Sequence, residues 1–168
     1  MSRGSDSLFC MGAGKLLLAL VLSCAWQVGW AAASATVTFV SNLSFGDFTV
    51  LGSCVNCSIT IDPATGMRSA SGGVILRSSN AGQRGQYTVK MSGCGQSCSY
   101  TATVTPASLN MVTAGGTMTV DTFATNQTAL TGSNGSNTLY VGGTLRIPSV
   151  NVTAGSYSSA SFTVTTTP

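Results

Sequence analysis

From Val37 to Val164 the chain alternates an apolar side chain with Thr or Ser almost without a break, and a period of two is what a strand with one buried face requires. Val37 and Phe39 open the pattern, and Phe48 and Val50, Ile59 and Ile61, Val74 and Leu76, and Tyr87, Val89 and Met91 continue it. Ala102 and Val104, Met118 and Val120, Leu139 and Val141, Leu145 and Ile147, and Phe162 and Val164 complete it. Thr and Val are β-branched and suit a pleated surface, whereas in a helix they lose rotamer freedom. Nothing in the chain reads as a helix. Turn signals fall between the alternating stretches: Asp62-Pro63-Ala64-Thr65-Gly66, Ser71-Gly72-Gly73, Asn80-Ala81-Gly82, Ala114-Gly115-Gly116, Gly132-Ser133-Asn134-Gly135, Gly142-Gly143 and Ala154-Gly155. In the first, Asp62 can bond its own backbone, Pro63 fixes φ and Gly66 frees it, which specifies a tight reversal. The fold class expected is all-β: an immunoglobulin-like two-sheet β-sandwich of about nine or ten short antiparallel strands in successive hairpins, with a closed barrel as the other arrangement. No internal repeat or linker divides it.

Ahead of that region lie the three parts of a secretory signal: Arg3 and Lys15, an apolar run from Leu16 to Trp26, and the small residues Ala31-Ala32-Ala33-Ser34-Ala35. Residues 1–33 are read as a signal peptide and 34–168 as one domain of 135 residues, enough for a single core. Gln27 ends the apolar run short of the roughly 20 residues that span a bilayer, so export without a stable membrane anchor is expected. Val21-Leu22-Ser23-Cys24 is a poor match to a lipoprotein box, in which Cys24 would carry the lipid. The compartment expected is the periplasm, the cell surface or the extracellular space.

The full chain contains no His and no Glu, and residues 34–168 carry only Arg68, Arg77, Arg84, Lys90 and Arg146 against Asp47, Asp62 and Asp121. General acid–base chemistry and hydrolytic metal sites draw on His, Glu, Asp and Cys thiolate, so no enzyme, cofactor or metal is expected. The three Asp residues are far apart in sequence, and Asp62 and Asp47 sit in turn contexts, which suits turn formation better than calcium. With no basic run and no interleaving of Arg with aromatics, no nucleic-acid partner is expected. Five Asn-x-Ser/Thr matches, at Asn42, Asn56, Asn126, Asn134 and Asn151, are what a chain this rich in Asn, Ser and Thr produces by chance.

Four cysteines follow the leader, as Cys54-Val55-Asn56-Cys57 and Cys94-Gly95-Gln96-Ser97-Cys98. In an exported chain disulfides are favoured over a tetrahedral zinc site, and four cysteines allow three connectivities. If three strands run as hairpins between the clusters, these lie at opposite ends of the domain, and bridges 54–57 and 94–98 are preferred. If strands change sheets, the ends could still meet. Catalytic thiol exchange at Cys54 and Cys57 is disfavoured, because such sites sit at a helix N-terminus and here strands flank the motif.

Several of these pieces resemble a family of exported bacterial domains known as domain of unknown function 4402. They are Leu43-Ser44-Phe45-Gly46-Asp47-Phe48, Thr60-Ile61-Asp62-Pro63-Ala64-Thr65-Gly66-Met67-Arg68, Ser71-Gly72-Gly73-Val74, Gly116-Thr117-Met118-Thr119-Val120-Asp121-Thr122-Phe123, Leu139-Tyr140-Val141-Gly142-Gly143-Thr144-Leu145, and Ala154-Gly155-Ser156-Tyr157 leading into Phe162-Thr163-Val164-Thr165. The Asp-Pro-Ala-Thr-Gly turn and the Val-Gly-Gly-Thr-Leu piece are the more specific. The opening and closing pieces are also similar to the spore coat protein U type domain, which includes subunits of archaic chaperone–usher pili. That resemblance implies a sandwich completed by an N-terminal strand from a neighbouring subunit, with copies of itself, pilin-like subunits and a periplasmic chaperone as partners. Residues 34–41 are then the donor or edge strand, with Val37, Phe39 and Val40 as pocket fillers. The chain departs from the pilin pattern in its short extension before Leu43 and in ending Thr165-Thr166-Thr167-Pro168 without a near-terminal aromatic.

The leading expectation is a structural surface protein, a fimbria-like subunit or assembly component acting through edge strands near its termini. The alternative is a self-contained adhesin or glycan-binding module, with Tyr140 and Tyr157 as the contact aromatics.

Overall fold

The alternating stretches are strands in the computed structural model, which describes residues 32–52, 54–113, 116–149, 158–159 and 162–168. Residues 1–31 of the expected signal peptide, Cys24 among them, and the candidate aromatic Tyr157 lie outside the described residues. The strands are β1 (Ser34–Ser41), β2 (Phe48–Val50), β3 (Cys57–Ile61), β4 (Arg68–Ser71), β5 (Val74–Leu76), β6 (Gly85–Ser92) and β7 (Cys98–Thr105). They continue as β8 (Leu109–Thr113), β9 (Gly116–Thr125), β10 (Ala129–Gly132), β11 (Gly135–Ile147), β12 (Ser158–Ser159) and β13 (Thr163–Thr167). All belong to one compact unit, Ala33–Pro168. No helix occurs among the described residues, and none there is long and apolar enough to cross a membrane.

The thirteen strands exceed the nine or ten that alternation predicts, and the reasons are local. Strand β4, Arg68-Ser69-Ala70-Ser71, has no apolar alternation to read, β10 and β12 are too short to show a period, and β8, with Leu109 and Met111, is not among the stretches expected. Gly142-Gly143, expected as a turn, lies inside β11 and joins what reads as two strands into one of thirteen residues. Successive hairpins are also the exception. Strands β3 and β4 pair through the Asp62 turn, and β8 pairs β9, but β11 pairs three strands that are not its chain neighbours.

Strand β11 is the organising element. Along one edge its Gly135–Val141 half pairs β6, and its Gly143–Ile147 half pairs β3; β9 takes the other edge from Val141 to Arg146. The large sheet runs β1-β6-β11-β9-β8-β12, with β3 and β4 attached through β11. A smaller sheet runs β10-β7-β13, and β2 pairs β5 alone. One apolar cluster joins Tyr87, Val89, Met91, Leu139 and Val141 of the large sheet to Tyr100, Ala102, Leu130 and Val164 of the smaller one. A second joins Ile59, Ile61, Met118, Val120, Leu145 and Ile147, with Phe48, Val50, Val74 and Leu76 of the β2–β5 pair packed against it. Phe123 and Phe162 touch both clusters, 5.2 Å apart between ring centroids.

The two glycines in β11 lie beside a bulge and under close neighbours. Between the pairs Gly142 with Ala124 and Thr144 with Asp121, β9 has one residue more than β11, and Thr122 takes φ 51° there. A Cβ on Gly142 would run into the Ile61 carbonyl and lie 2.7 Å from Pro63 Cδ; one on Gly143 would lie 3.3 Å from the Phe123 ring. The Asp-Pro-Ala-Thr-Gly turn and the Val-Gly-Gly-Thr-Leu stretch are therefore in direct contact, the second shaped to seat the first.

Candidate functional site

Among the few charged residues, Arg68 and Arg84 hold loops. Arg68 Nη1 donates to the carbonyls of Phe45 (2.8 Å), Asp47 (3.0 Å) and Asn80 (3.2 Å), and its Nη2 donates to that of Arg77 (2.6 Å). One guanidinium thus bonds four loop carbonyls, of which those of Asp47 and Asn80 also accept the backbone N–H groups of Arg77 and Asp47, in a fork geometry Lys lacks. Arg84 donates to the carbonyls of Pro63 (2.9 Å) and Ala64, and its guanidinium carbon lies 3.4 Å from the centroid of the Tyr140 ring. Arg77 Nε donates to Thr49 Oγ1, and Arg146 Nε donates to the Asp121 carboxylate at 3.1 Å. Asp62 Oδ1 accepts from the backbone N–H groups of Ala64 and Thr65, and these bonds, that of Thr65 first, hold its carboxyl below the ordinary range. No three of the Cys and Asp side chains converge on a metal position among the described residues.

The cysteines pair as 54–57 and 94–98, at S–S distances of 2.09 and 2.20 Å. Register places them apart: Cys57 is opposite Ile147 at the end of β11, while Cys94 N–H donates to Asn134 just before its start. The intervening strand spans about 40 Å at the rise of an antiparallel strand. The chain does change sheets between the clusters, yet the two ends do not meet. Cys54 and Cys57 are both buried, so an incoming thiol has little access to them. Two disulfides suggest an oxidising, exported environment. Beside the first bridge lies an open cleft of about 480 Å³ between Val55, Asn56, Thr117, Thr119, Arg146 and Pro148.

The candidate aromatic Tyr140 is half-buried on β11, and with Arg84 over its ring and its backbone N–H bonded to Asn126 Oδ1 it acts as a support for the Asp62 turn. That role was not readable from the sequence, since Arg84 and Tyr140 are joined only by the register of β6 and β11.

The candidate donor or edge strand is an edge strand in the isolated chain. Ala35, Val37 and Phe39 pair with Met91, Val89 and Tyr87 of β6, and no described strand pairs the other side of β1. In the isolated chain Val37 and Phe39 therefore sit in the chain's own large sheet. Phe39 is on the same face as the buried Tyr87, with ring centroids 5.9 Å apart, but remains 55 % exposed, and Val40 is 49 % exposed. Strand β1 contains neither a charged residue nor a proline, the usual guards of a sheet edge. A register shift between Phe39 and Ser41 interrupts its ladder, and β13 of the smaller sheet comes within 8 Å of it.

What fold and edge define together is an all-β, disulfide-stapled domain with almost no ionisable chemistry and an unguarded sheet margin. The chain belongs to the family described as Domain of unknown function (DUF4402), which matches residues 35–167. No curated protein and no solved structure matches it.

Proposed function

We propose that this chain is a non-enzymatic structural protein of the periplasm, cell surface or extracellular space, which joins a fimbria-like assembly by strand addition at an open sheet edge. The observation that carries this reading is Phe39: an aromatic on the core-facing side of β1 left more than half exposed, on a strand whose other margin no described strand pairs. An edge of that kind offers a row of backbone donors and acceptors together with alternate side chains, which is the recognition mode of strand augmentation. Its partners in this reading are copies of itself or related pilin-like subunits, with a periplasmic chaperone guarding the edge before assembly. The finer architecture goes with the same proposal: the large sheet and the β10-β7-β13 sheet face each other as an immunoglobulin-like sandwich, supported by the cluster they share.

A self-contained binding module is the second reading, favoured by the fact that Val37 and Phe39 already pair within their own sheet. Light scattering after size-exclusion chromatography, on the full chain exported to a periplasm and purified over a range of concentrations, separates the two. Assembly predicts species larger than a monomer whose share rises with concentration. A monomer at every concentration, without chaperone or partner subunit bound, overturns it in favour of the module.

A further inference from the structure

We infer that the partner of the β1 edge is the β1 strand of a second copy, paired antiparallel about a two-fold axis that passes midway between the two Val37 residues. The inference rests on the edge-assembly reading and names its partner. In an antiparallel ladder two residues that exchange backbone bonds both point outward, and a strand alternates outward and inward residues. A strand pairing with its own copy can therefore match only residues whose numbers sum to an even value. The regular part of β1 ends at the register shift after Phe39, so two registers each use five regular residues: one centred on Thr36 and one centred on Val37. Only the second sets Phe39 opposite a residue of β1, namely Ala35.

In that register Val37 meets Val37 of the second copy, Thr36 meets Thr38, and Ala35 meets Phe39. Each exposed Phe39 ring lies over a small side chain on the core-facing side, where half-exposed apolar area is available to be covered. β-Branched pairs form the middle of the ladder, and no like charges meet, because β1 has none. The same patch serves both copies, as an isologous interface requires. The two large sheets then become one continuous sheet and the β1 margin is used up, so this contact closes at a dimer, the unit that a longer assembly would join through a second interface.

Thr36 and Thr38 face away from the core and are exposed, so they can carry charge without disturbing the fold. In Thr36→Asp/Thr38→Asp the two cross-pairs become carboxylate against carboxylate, and the dimer is expected to weaken at least about tenfold. In Thr36→Asp/Thr38→Lys both cross-pairs become opposite charges, and dimerisation is expected to return. The register centred on Thr36 would instead bring the two introduced carboxylates face to face, so that recovery is specific to the axis between the two Val37 residues. Both variants are purified as full exported chains and compared by light scattering, with their melting temperatures checked against the parent. If the Asp/Asp variant still dimerises as the parent does, or the Asp/Lys variant is as dissociated as the Asp/Asp one, the β1–β1 pairing is wrong while edge assembly by another route stands. If the parent itself is monomeric at every concentration and carries no partner, both readings fall.

Discussion

Phe39 and Leu139 are neighbours of the same residue. Tyr87 of β6 is paired with Phe39 of β1 on one side and Leu139 of β11 on the other, and all three side chains belong to the same face of the large sheet. Leu139 is fully buried and Phe39 is 55 % exposed. Both stretches alternate apolar with hydroxyl residues, so local pattern does not separate them. What separates them is cover: Leu139 lies in the cluster that the smaller sheet closes over, while β1 closes the row of described strands. A difference of position thus turns one apolar residue into core and the other into an available contact.

Truncation tests that contrast most directly. Leu139→Ala is expected to cost about 2–5 kcal/mol, the range for a large-to-small change in a packed core. Urea denaturation of the monomer measures it; a loss near zero would mean that the β11 row is not the core.

Gly142→Ala probes the same strand from its outer face, where the Asp62–Pro63 turn must move to admit a methyl group. Overpacking of that kind is expected to cost about 1–3 kcal/mol. If Gly142→Ala is instead neutral, the turn and β11 are not in contact.

Arg68→Met keeps the aliphatic stem and removes the donors to four carbonyls. A loss of about 1–3 kcal/mol is expected, on the scale of hydrogen bonds to a charged group, with Arg68→Lys recovering only part of it. Equal stability of the Met and Lys variants would show that stem packing, not the guanidinium, holds these loops.

At the edge the expected effect is smaller. Phe39→Ala should cost the monomer about 1 kcal/mol, the size of an edge-to-face aromatic contact with part of its area already exposed. A loss as large as that of Leu139→Ala, measured in the same urea series, would erase the difference between the two rows.

The smallest effect concerns pH. Asp62 is held below its ordinary value of 3.8 by the N–H groups of Thr65 and Ala64, so its ionised form favours the folded state. That contribution is present above about pH 4 and is lost as pH falls through the lowered folded value. Asp62→Asn keeps an acceptor without the charge, so the advantage of the parent at neutral pH should shrink in acid; melting temperatures from pH 7 to pH 3 read it. A gap that widens in acid would contradict the assignment.

Much of the fold could be read from side-chain order. Strands β1, β2, β3, β5, β6, β7 and β9 lie where apolar and hydroxyl residues alternate, and the Asp62 turn joins β3 to β4 as its Asp, Pro and Gly require. Gly142-Gly143 shows the limit: as a dipeptide it has the composition of a turn, and only Pro63 above it and Phe123 below it explain why the strand runs straight through. The site divides in the same way. The sequence places Val37, Phe39 and Val40 on a terminal strand, but the aromatic at Tyr140, equally visible as a candidate, is committed to Arg84, a residue 56 positions away.

Composition and period by themselves determined an all-β chain with little acid–base chemistry and two close pairs of cysteines. Those properties depend on residue type and on spacings of a few positions, which a linear chain carries. Tertiary structure alone decided that β11 would be the interior strand, that Arg68 and Arg84 would hold loops from distant segments, and that β1 would be left at the margin. Strand order depends on which edges find partners across the whole chain, and two segments of the same period compete for those places on equal local terms.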